Sequence, residues 1–580
     1  MTETTNRSRR AFLQSSAAVV AATAAGCAVS GKPRPAGDGK PRGPYNIVLI
    51  TSDQERYFKR WPFPVPGRER LRRMGVSFEN HQIASNVCSP SRSVIYTGQH
   101  IQHTGVFDNV NTPWQSSMST DVPTLGHMLR EAGYYTAYKG KFHLALELEE
   151  ANDPENPQKL LTEVMEDYGF SDYFNVGDII CNTRGGYEHD GIITSMAVGW
   201  LRAKGRPMAD EGKPWFLAVN LINPHDVMYV DTDLPDQPVQ KANDPVMDIA
   251  PPPDTVEYRA SWDAPLPKSR HQPWDDAGRP QAHREFQKSR EVLLGNWPDE
   301  DRRWRLLQDY YFNAIRDNDR QVVRLLDELE TQGLLENTIL IFTSDHGELG
   351  GAHQMHGKGS CAYAEQNHVP LIVVHPEARG GQRCQALTSH LDMAPTILSM
   401  AGVKPSGNLK GHDFSPLLEA PGDAGLNELR DGALFNFNML GYLDGDFLKS
   451  MKKMRDAKKA GKAVAAIDLA AAGKQALEKR GAIRSWFDGR YRFTRYFSPR
   501  QHHLPQTLSE LRQRNDIELY DTKEDPDELT NLADDPKHEG LLEDLNQRLN
   551  ALIEKEVGED NGSMLPMSGR IQWDIESFDV

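Results

Sequence analysis

The residues best suited to chemistry lie in one run from Cys88 to Gly98, which is CSPSRSVIYTG. Ser89 followed by Pro90 is typical of a helix N-cap and first helical residue, and Gly98 is placed to end that helix. The Cys88 thiol would then lie just ahead of a helix N-terminus, where free N–H groups and the helix dipole favour an anion. Arg92, one turn later, can hold a carboxylate, a phosphate or a sulfate. A buried structural cysteine is the alternative for such a residue taken alone.

Four predicted strands each end in ionisable residues, which indicates a site built from distant parts of the chain. The strands are the apolar runs 45–52, 134–139, 215–222 and 337–344. In the same order they lead into Asp53 with Gln54, Lys141 with His143, His225, and Asp345 with His346. Strands that alternate with helices predict a mostly parallel α/β sheet, where ligands bind at the carboxyl ends of strands. One charged strand end is ordinary loop polarity, but four together predict a shared site.

The donors at these strand ends suit a divalent cation. The carboxylates of Asp53 and Asp345 and the amide of Gln54 are oxygen ligands of the kind that Ca²⁺ and Mg²⁺ prefer. The imidazole of His346 moves the preference towards Mn²⁺ or Zn²⁺. Lys358, in the run His-Gly-Lys-Gly after the last strand, adds a cation nearby. Loop roles suffice for three further polar residues of this region, Glu348, His353 and His356.

The run Cys-x-Pro-Ser-Arg followed by Thr-Gly resembles the signature of the type I, formylglycine-dependent sulfatases of the alkaline phosphatase superfamily. The resemblance extends over about 45–420 and returns at 517–532. It implies that a formylglycine-generating or maturase enzyme oxidises Cys88 to formylglycine (3-oxoalanine), which becomes the nucleophile. It also implies one divalent metal, usually Ca²⁺ with Mg²⁺ or Mn²⁺ as alternatives. The matching metal positions are Asp53, Gln54, Cys88, Asp345 and His346.

The resemblance also implies roles for the residues around the nucleophile. Arg92 and the metal would hold the formylglycine hydrate, while Lys141 and Lys358 offset charge on the sulfuryl oxygens. His225 resembles the acid for the leaving group, and His143 resembles the base that expels sulfate, since an imidazole titrates near working pH. The implied activity is hydrolysis of a sulfate monoester. The substrate would be a sulfated small molecule or a sulfated carbohydrate.

Two positions depart from the family pattern. Many members have a second Asp where this chain has Gln54, and this departure resembles a subset of the superfamily that includes choline sulfatases and phosphonate monoester hydrolases. Phe142 replaces the usual Trp. The first departure keeps a phosphonate monoester or phosphodiester hydrolase with the same nucleophile as the alternative function. A non-catalytic lipoprotein that binds sulfated glycans is an alternative from a different class, and the intact cysteine, arginine and carboxylates argue against it.

The N-terminus is predicted to be an export signal rather than part of the fold. The run SRRAFL precedes an Ala/Val-rich stretch and resembles a twin-arginine signal, so residues 1–27 are interpreted as a signal peptide for the twin-arginine translocase. The run AAGC ending at Cys27 resembles a lipoprotein cleavage box with Ala where Leu is usual. Lipidation of Cys27 and ordinary cleavage nearby both stay open. We expect a periplasmic or extracytoplasmic protein whose membrane contact is at most a lipid anchor.

Composition and element patterns predict the remaining organisation. The net charge of −16 over 580 residues argues against a nucleic-acid partner, and the five cysteines give no case for a disulfide. A flexible linker is expected over 28–44. A catalytic domain then covers 45–425, with an insertion at about 227–300, and a C-terminal subdomain covers 426–580. By the resemblance, the fold is an alkaline-phosphatase-like α/β core, a large mostly parallel sheet flanked by helices, with a smaller C-terminal α+β subdomain containing a short antiparallel sheet.

Individual elements can also be predicted from periodicity. Apolar spacing predicts a long amphipathic helix between Arg302 and Leu335, and a shorter helix over 121–133. The Ala/Lys-rich stretch 440–480 should form a solvated helix. Residues 204–298, rich in Pro, Asp and Trp, have little periodicity beyond their one strand, which predicts an irregular surface insertion of the kind that is often functional.

Overall fold

The structure is a computed structural model, and it describes residues 44–112, 114–149, 157–174, 177–179, 181–405, 407–459 and 476–566. The predicted signal peptide with Cys27, and nearly all of the predicted linker, lie outside the described residues. Part of the Ala/Lys-rich stretch, 460–475, also lies outside them. Within the described ranges, no helix has both the length and the apolar character needed to span a membrane.

Seven strands form the central sheet, in the order β3-β4-β1-β5-β6-β2-β7. All of them are parallel except β6, which runs antiparallel to both of its neighbours. The strands are β1 (Asn46–Asp53), β2 (Val76–Gln82), β3 (Tyr135–Gly140), β4 (Trp215–Pro224), β5 (Thr338–Ser344), β6 (Leu371–Val374) and β7 (Gln382–Ser389). The predicted large, mostly parallel sheet is confirmed.

The central strand β1 is buried on both faces, as its continuous apolar run predicts. Ile47 and Leu49 pack into the hydrophobic layer on one side of the sheet. Val48 and Ile50 pack into the layer on the other side. Because every side chain of β1 is covered, the strand is fixed in position, and so is the carboxylate of Asp53 at its carboxyl end.

Fourteen α-helices are found among the described residues. Those of the first half are α1 (Pro66–Met74), α2 (Cys88–Thr97), α3 (Ile101–Thr104), α4 (Leu125–Glu131), α5 (Pro157–Asp167), α6 (Gly185–Trp200) and α7 (Arg206–Asp210). Those of the second half are α8 (Gln281–Leu294), α9 (Asp301–Thr331), α10 (Ala364–Asn367), α11 (Met393–Met400), α12 (Gly445–Lys459), α13 (Leu508–Arg514) and α14 (Glu539–Glu556).

A second, four-stranded antiparallel sheet lies in the C-terminal part, in the order β11-β10-β9-β8. Its strands are β8 (Ala433–Phe437), β9 (Ala482–Phe487), β10 (Tyr491–Phe497) and β11 (Asp516–Asp521). The backbone N–H of Asn436 in β8 donates to the carbonyl of Ala84 at 2.9 Å, which ties this sheet to the segment just before Cys88. The short antiparallel sheet is confirmed, and the subdomain boundary at 425/426 stays a prediction.

The long helix was predicted well and the insertion was not. Helix α9 covers nearly all of the amphipathic stretch predicted between Arg302 and Leu335. The insertion contains the 14-residue helix α8, in which Phe286 and His283 are fully buried. The prediction of an irregular surface segment was therefore wrong for this part of the insertion. Polar residues of α8, among them Gln287, Ser289 and Arg290, are buried together with its apolar residues, which hides the helical period in the sequence.

Candidate active site

Helix α2 places Cys88 at the base of the site. The helix begins at Cys88 itself, with Val87 as the N-cap, and no side chain caps it. The predicted capping role of Ser89 is therefore wrong, and its hydroxyl instead accepts a hydrogen bond from the N–H of Val110 at 3.3 Å. The predicted stop is confirmed, because Gly98 adopts a left-handed conformation with φ of 64°.

Two parallel strands bring the predicted carboxylates together. Ser52 at the end of β1 pairs with Ser344 at the end of β5, so the next residues on both strands, Asp53 and Asp345, lie side by side. Arg92 bridges them, with Nε 2.9 Å from Asp345 Oδ2 and Nη2 3.0 Å from Asp53 Oδ2. All three side chains are fully buried. The guanidinium therefore holds the two carboxylates in place, and its Nη1 is also committed, to the carbonyl of Lys141 at 2.7 Å.

Two lysines come to the same point from different elements. Lys141 follows β3, and its Nζ lies 2.8 Å from Asp53 Oδ2. Lys358, from the loop after β5, places its Nζ 3.0 Å from Cys88 Sγ. The same ammonium donates to Gln54 Oε1 at 2.7 Å. Lys358 is therefore a cation in direct contact with the side chain of Cys88, the predicted precursor of the nucleophile. Gln54 is linked to the site through its hydrogen bond with this lysine.

The donor set of the site fits a divalent cation. One ligand atom from each of Asp53, Cys88, Asp345 and His346 lies within 4.8 Å of the others, and all four residues are buried. Two carboxylates and one imidazole are the mixture expected for a hard to borderline ion. Two carboxylates so close together in a buried site repel one another, which a bound cation would relieve.

Charges inside the site set the protonation of its acids and bases. Burial raises the pKa of Asp53, but the charges of Lys141, Lys358 and Arg92 outweigh that effect and hold it well below its usual range. The pKa of Asp345 is raised, first by burial and then by the carboxylate of Asp53. Burial lowers the pKa of His346 to about 4, so its imidazole is neutral and free to ligate. The free site therefore keeps one carboxylate firmly ionised next to a second one that resists ionisation.

The two predicted acid–base histidines lie beside the lysines. Burial and the charge of Lys141 lower the pKa of His143 well below its ordinary value. Burial and the charge of Lys358 do the same for His225, which directly follows β4. Both imidazoles are therefore neutral at neutral pH in the free protein. That state suits the base role predicted for His143 and is opposite to the acid role predicted for His225.

Backbone and side-chain partners orient His143. Its Nε2 lies 3.1 Å from Glu149 Oε1. The carboxylate of Asp178 accepts the backbone N–H groups of Phe142 and His143 at 2.7 and 2.6 Å. Glu149 and Asp178 were not predicted from the sequence, because neither stands in a recognisable run and both come from loops that pack on the strand end.

Glu348 is a further residue whose role only the structure shows. One carboxylate oxygen accepts from Gln54 Nε2 at 2.5 Å, and the other accepts the N–H groups of Gly350 and Gly357, the latter at 2.5 Å. Glu348 therefore fixes the amide of Gln54 and the loop that carries Lys358. It also supplies a carboxylate close to position 54, where Gln54 lacks one. The only sequence signal was its place three residues after Asp345, which fits an ordinary polar turn equally well.

An open pocket lies directly above this charged base. Lys141, His143, His225 and Lys358 line its inner end. The outer wall comes from the loop around Trp114, from the insertion and from the segment around Tyr442. The inner and outer parts therefore differ sharply in chemistry, and only the inner part had been predicted residue by residue.

Comparisons with known proteins agree with this geometry. A family model described as Sulfatase matches residues 45–403. The chain is 26% identical over 396 residues to the choline-sulfatase of Rhizobium meliloti (strain 1021), a match that covers 63% of this chain and 68% of that protein. It is 27% identical over 407 residues to the N-acetylglucosamine-6-O-sulfatase of Bacteroides thetaiotaomicron, covering 62% and 67% of the two chains.

Solved structures support the fold. The chain matches a 2-O GAG sulfatase with a TM-score of 0.61 at 19% identity, covering 88% of this chain and 92% of that chain. It matches a phosphonate monoester hydrolase from Silicibacter pomeroyi with a TM-score of 0.60 at 20% identity, covering 89% and 96%. At these identities the likeness shows a shared alkaline-phosphatase-like fold and does not discriminate between the two reactions.

Proposed function

Because the chain belongs to the sulfatase family and is a sulfuric ester hydrolase, we propose that a formylglycine made from Cys88 is its nucleophile. The observation that carries this proposal is the environment of the Cys88 side chain. Its Sγ is buried and lies 3.2 Å from His346 Nε2 and 3.0 Å from the Nζ of Lys358, a lysine that lines the pocket. A formylglycine at position 88 would therefore lie next to a lysine that can bind a sulfate and next to the side chains that can bind a metal.

The proposed cofactor is one divalent cation, with Ca²⁺ favoured by the carboxylates and Mg²⁺ or Mn²⁺ as alternatives. Asp53, Asp345 and His346, with Gln54 beside them, would hold it next to residue 88. When bound, it would supply positive charge that stabilises the ionised nucleophile and the sulfuryl oxygens. The mixed carboxylate and imidazole donor set supports this assignment.

The charged and basic side chains around residue 88 have different proposed roles. Arg92 is fully engaged with Asp53, Asp345 and a backbone carbonyl, so its role is to hold the carboxylates rather than to bind substrate. Lys141 and Lys358 line the pocket and would balance the charge on the sulfuryl oxygens. His143, neutral and oriented by Glu149, is placed to accept a proton when sulfate leaves.

His225 needs the substrate to become a proton donor. Its pKa is lowered by burial and by Lys358 and Lys141. A sulfate ester between these lysines adds negative charge, which offsets the two ammonium groups and raises the pKa of the imidazole again. We therefore propose that His225 protonates the leaving oxygen only in the substrate complex.

Turnover of matched substrates tests the proposal against its main alternative. The matured protein is assayed with 4-nitrophenyl sulfate and with a phosphonate monoester of 4-nitrophenol, so that only the reacting group differs. We expect the higher kcat/KM for the sulfate ester. A higher kcat/KM for the phosphonate would support the phosphonate monoester or phosphodiester hydrolase that Gln54 motivated. Release from neither would support the non-catalytic, glycan-binding alternative.

Export is proposed on the sequence alone. We propose that the twin-arginine translocase delivers the protein to a periplasmic or other extracytoplasmic location, with or without a lipid on Cys27, after a maturase has acted on Cys88. Replacing both Arg9 and Arg10 by Lys should retain the protein in the cytoplasm of its host, as measured by cell fractionation. Cys27→Ala distinguishes a lipid anchor, because only an anchored protein would leave the membrane fraction.

A further inference from the structure

Strand β4 bulges out of the sheet just before it reaches His225. On β1 a single residue, Ser52, lies between the two residues that pair with Asn220 and Pro224 of β4. On β4 the three residues 221–223 lie between the same two pairs, so they leave the regular ladder. A bulge changes the direction of the chain that follows it. The position of His225, which lines the pocket directly after β4, therefore depends on what holds the bulge.

The carboxylate of Asp190, on helix α6, holds this bulge. Its Oδ1 accepts the backbone N–H of Ile222 at 2.6 Å, and its Oδ2 accepts that of Asn223 at 3.0 Å. The two N–H groups thus bond to a side chain rather than to a neighbouring strand, and they are satisfied although the ladder is interrupted. Because Asp190 is itself buried, the bulge is fixed to α6 by two hydrogen bonds shielded from water.

Asp226, the residue after His225, makes the reciprocal contact. Its two carboxylate oxygens accept the backbone N–H groups of Gly186 and Tyr187, in the first turn of α6, at 2.8 and 2.9 Å. The N-cap residue of this helix provides no side-chain cap, so Asp226 satisfies N–H groups at the positive end of the helix dipole. Four hydrogen bonds therefore join α6 to this segment, two just before His225 in the chain and two directly after it.

The ring of His225 depends on this anchoring more than the ring of His143 does. Glu149 Oε1 lies 3.1 Å from His143 Nε2. Within the ranges that the structure describes, no hydrogen bond to the His225 ring is found, and the ring of Tyr229 packs beside it with centroids 5.6 Å apart. The backbone on both sides of His225 therefore sets where its imidazole lies.

Asp190 and Asp226 are specific to this arrangement because each uses both carboxylate oxygens. Burial raises the pKa of both acids, that of Asp226 to about 7, and the backbone N–H groups that they accept oppose this rise. A carboxylate accepts at both oxygens, whereas an amide of the same shape must turn a donor towards one of the two N–H groups. Replacement of either Asp by Asn therefore breaks the anchoring with little change in volume.

Resting on the proposed sulfatase function, we propose that Asp190 and Asp226 are positioning residues for proton donation by His225. In that step the oxygen of the nucleophile bonds to sulfur, the S–O bond to the alcohol breaks, and the alcohol oxygen takes the proton of the imidazole. The two acids do not line the pocket and act only by fixing the chain around His225. Their importance rises with the basicity of the leaving alcohol, because a poor leaving group depends more on the proton.

Two esters that differ only in their leaving group test this role. The matured wild type, Asp190→Asn and Asp226→Asn are assayed with 4-nitrophenyl sulfate and with phenyl sulfate, whose alcohol is the more basic. We expect each substitution to lower kcat/KM for phenyl sulfate by at least about 10-fold more than for 4-nitrophenyl sulfate. Loss of folded protein lowers both values by one factor, so an equal loss for the two esters, or no loss, overturns the role. Hydrolysis of neither ester by the wild type overturns the proposed function and this role with it.

Asp392→Asn is the matched control for a purely structural effect. Asp392 is also fully buried and accepts two backbone N–H groups, at 2.8 and 2.7 Å, but it follows β7 at the far edge of the sheet from β4. We expect this variant to have a lower thermal midpoint and the same ratio of kcat/KM values for the two esters as the wild type. A changed ratio would show that any loss of stability alters the leaving-group dependence, which would overturn the assignment.

A double variant tests whether Asp190 acts through His225. In His225→Ala the selective loss for phenyl sulfate is already present, so adding Asp190→Asn should change the ratio of the two kcat/KM values by less than about 2-fold. A further selective loss in the double variant would contradict the proposal. Asp226→Asn, which removes only the contact to α6 that follows His225, provides the same comparison if Asp190→Asn does not fold.

Discussion

The inner end and the outer wall of one pocket were built by different means. The inner end lies among ionisable side chains that follow β1, β3, β4 and β5, several of them held by ion pairs such as Arg92 with Asp53 at 3.0 Å. The outer wall consists mainly of aromatic, methionine and leucine side chains from loops and helices, with the uncharged polar side chains of Asn109, Asn111 and Thr112 among them. This difference indicates that the sheet fixes the reaction, while segments outside it select the alcohol. Changes at the inner end should therefore reduce kcat, and changes in the wall should act mainly on KM.

The largest effect is expected at residue 88. Cys88→Ala removes the precursor of the nucleophile, so we expect kcat to fall by at least about 10⁴-fold. The thermal midpoint should change little, because a small buried side chain is replaced by another. Cys384→Ala, at a buried position of β7 away from the pocket, is the matched control and should keep its kcat. A measurable sulfatase kcat in the Cys88→Ala protein would contradict the assignment of residue 88 as the source of the nucleophile.

The next effect is expected at Lys141. Lys141→Met leaves the carboxylate of Asp53 with one cation fewer and removes positive charge from the inner end. We expect kcat to fall by about 10²–10³-fold, and the free energy of unfolding to fall by about 3 kcal/mol. Steady-state kinetics and chemical denaturation measure the two quantities. A variant with a higher KM and an unchanged kcat would show that Lys141 contributes to substrate binding and not to the chemical step.

A smaller effect is expected from loosening the wall. Asp108→Ala frees the Trp114 indole and two backbone N–H groups, which leaves buried donors unpaired. We expect KM for an aryl sulfate to rise by about 10-fold while kcat changes less, because the reacting end is untouched. Initial-rate measurements over a range of substrate concentrations separate the two constants. A fall in kcat alone would show that the wall contributes to the chemical step.

The smallest effect is expected on stability in acid. Burial lowers the pKa of His283, on the wall helix α8, to about 4 against an ordinary value of 6.5. Because the unfolded state binds the proton more readily, stability is full above about pH 6.5 and declines as the pH falls towards 4. The loss from this group should reach up to about 3 kcal/mol.

Denaturation of the wild type and of His283→Gln at several pH values tests this effect. The Gln variant cannot take up the proton, so the difference in free energy of unfolding between the two proteins should shrink as the pH falls from 6.5 to 4. A difference that stays constant over this range would show that His283 does not titrate as its burial requires.

Sequence reasoning succeeded where a residue's position follows from a strand. Asp53 and Asp345 could be placed together because apolar runs predict parallel strands, and parallel strands align their carboxyl ends. Glu149 and Glu348 could not be assigned, since a carboxylate in a loop acquires a role only from what the fold places beside it. The wall was missed for a related reason. Trp114, Met247 and Met439 lie far apart in the chain, and no period links them.

The relation between formylglycine content and turnover tests most simply whether residue 88 is the nucleophile. Protein batches matured to different extents are analysed by mass spectrometry of the peptide that contains residue 88, and kcat for 4-nitrophenyl sulfate is measured on each batch. We expect kcat to rise in proportion to the fraction of residue 88 that is present as formylglycine and to approach zero when that fraction does. Full turnover by protein whose Cys88 is unmodified would contradict it.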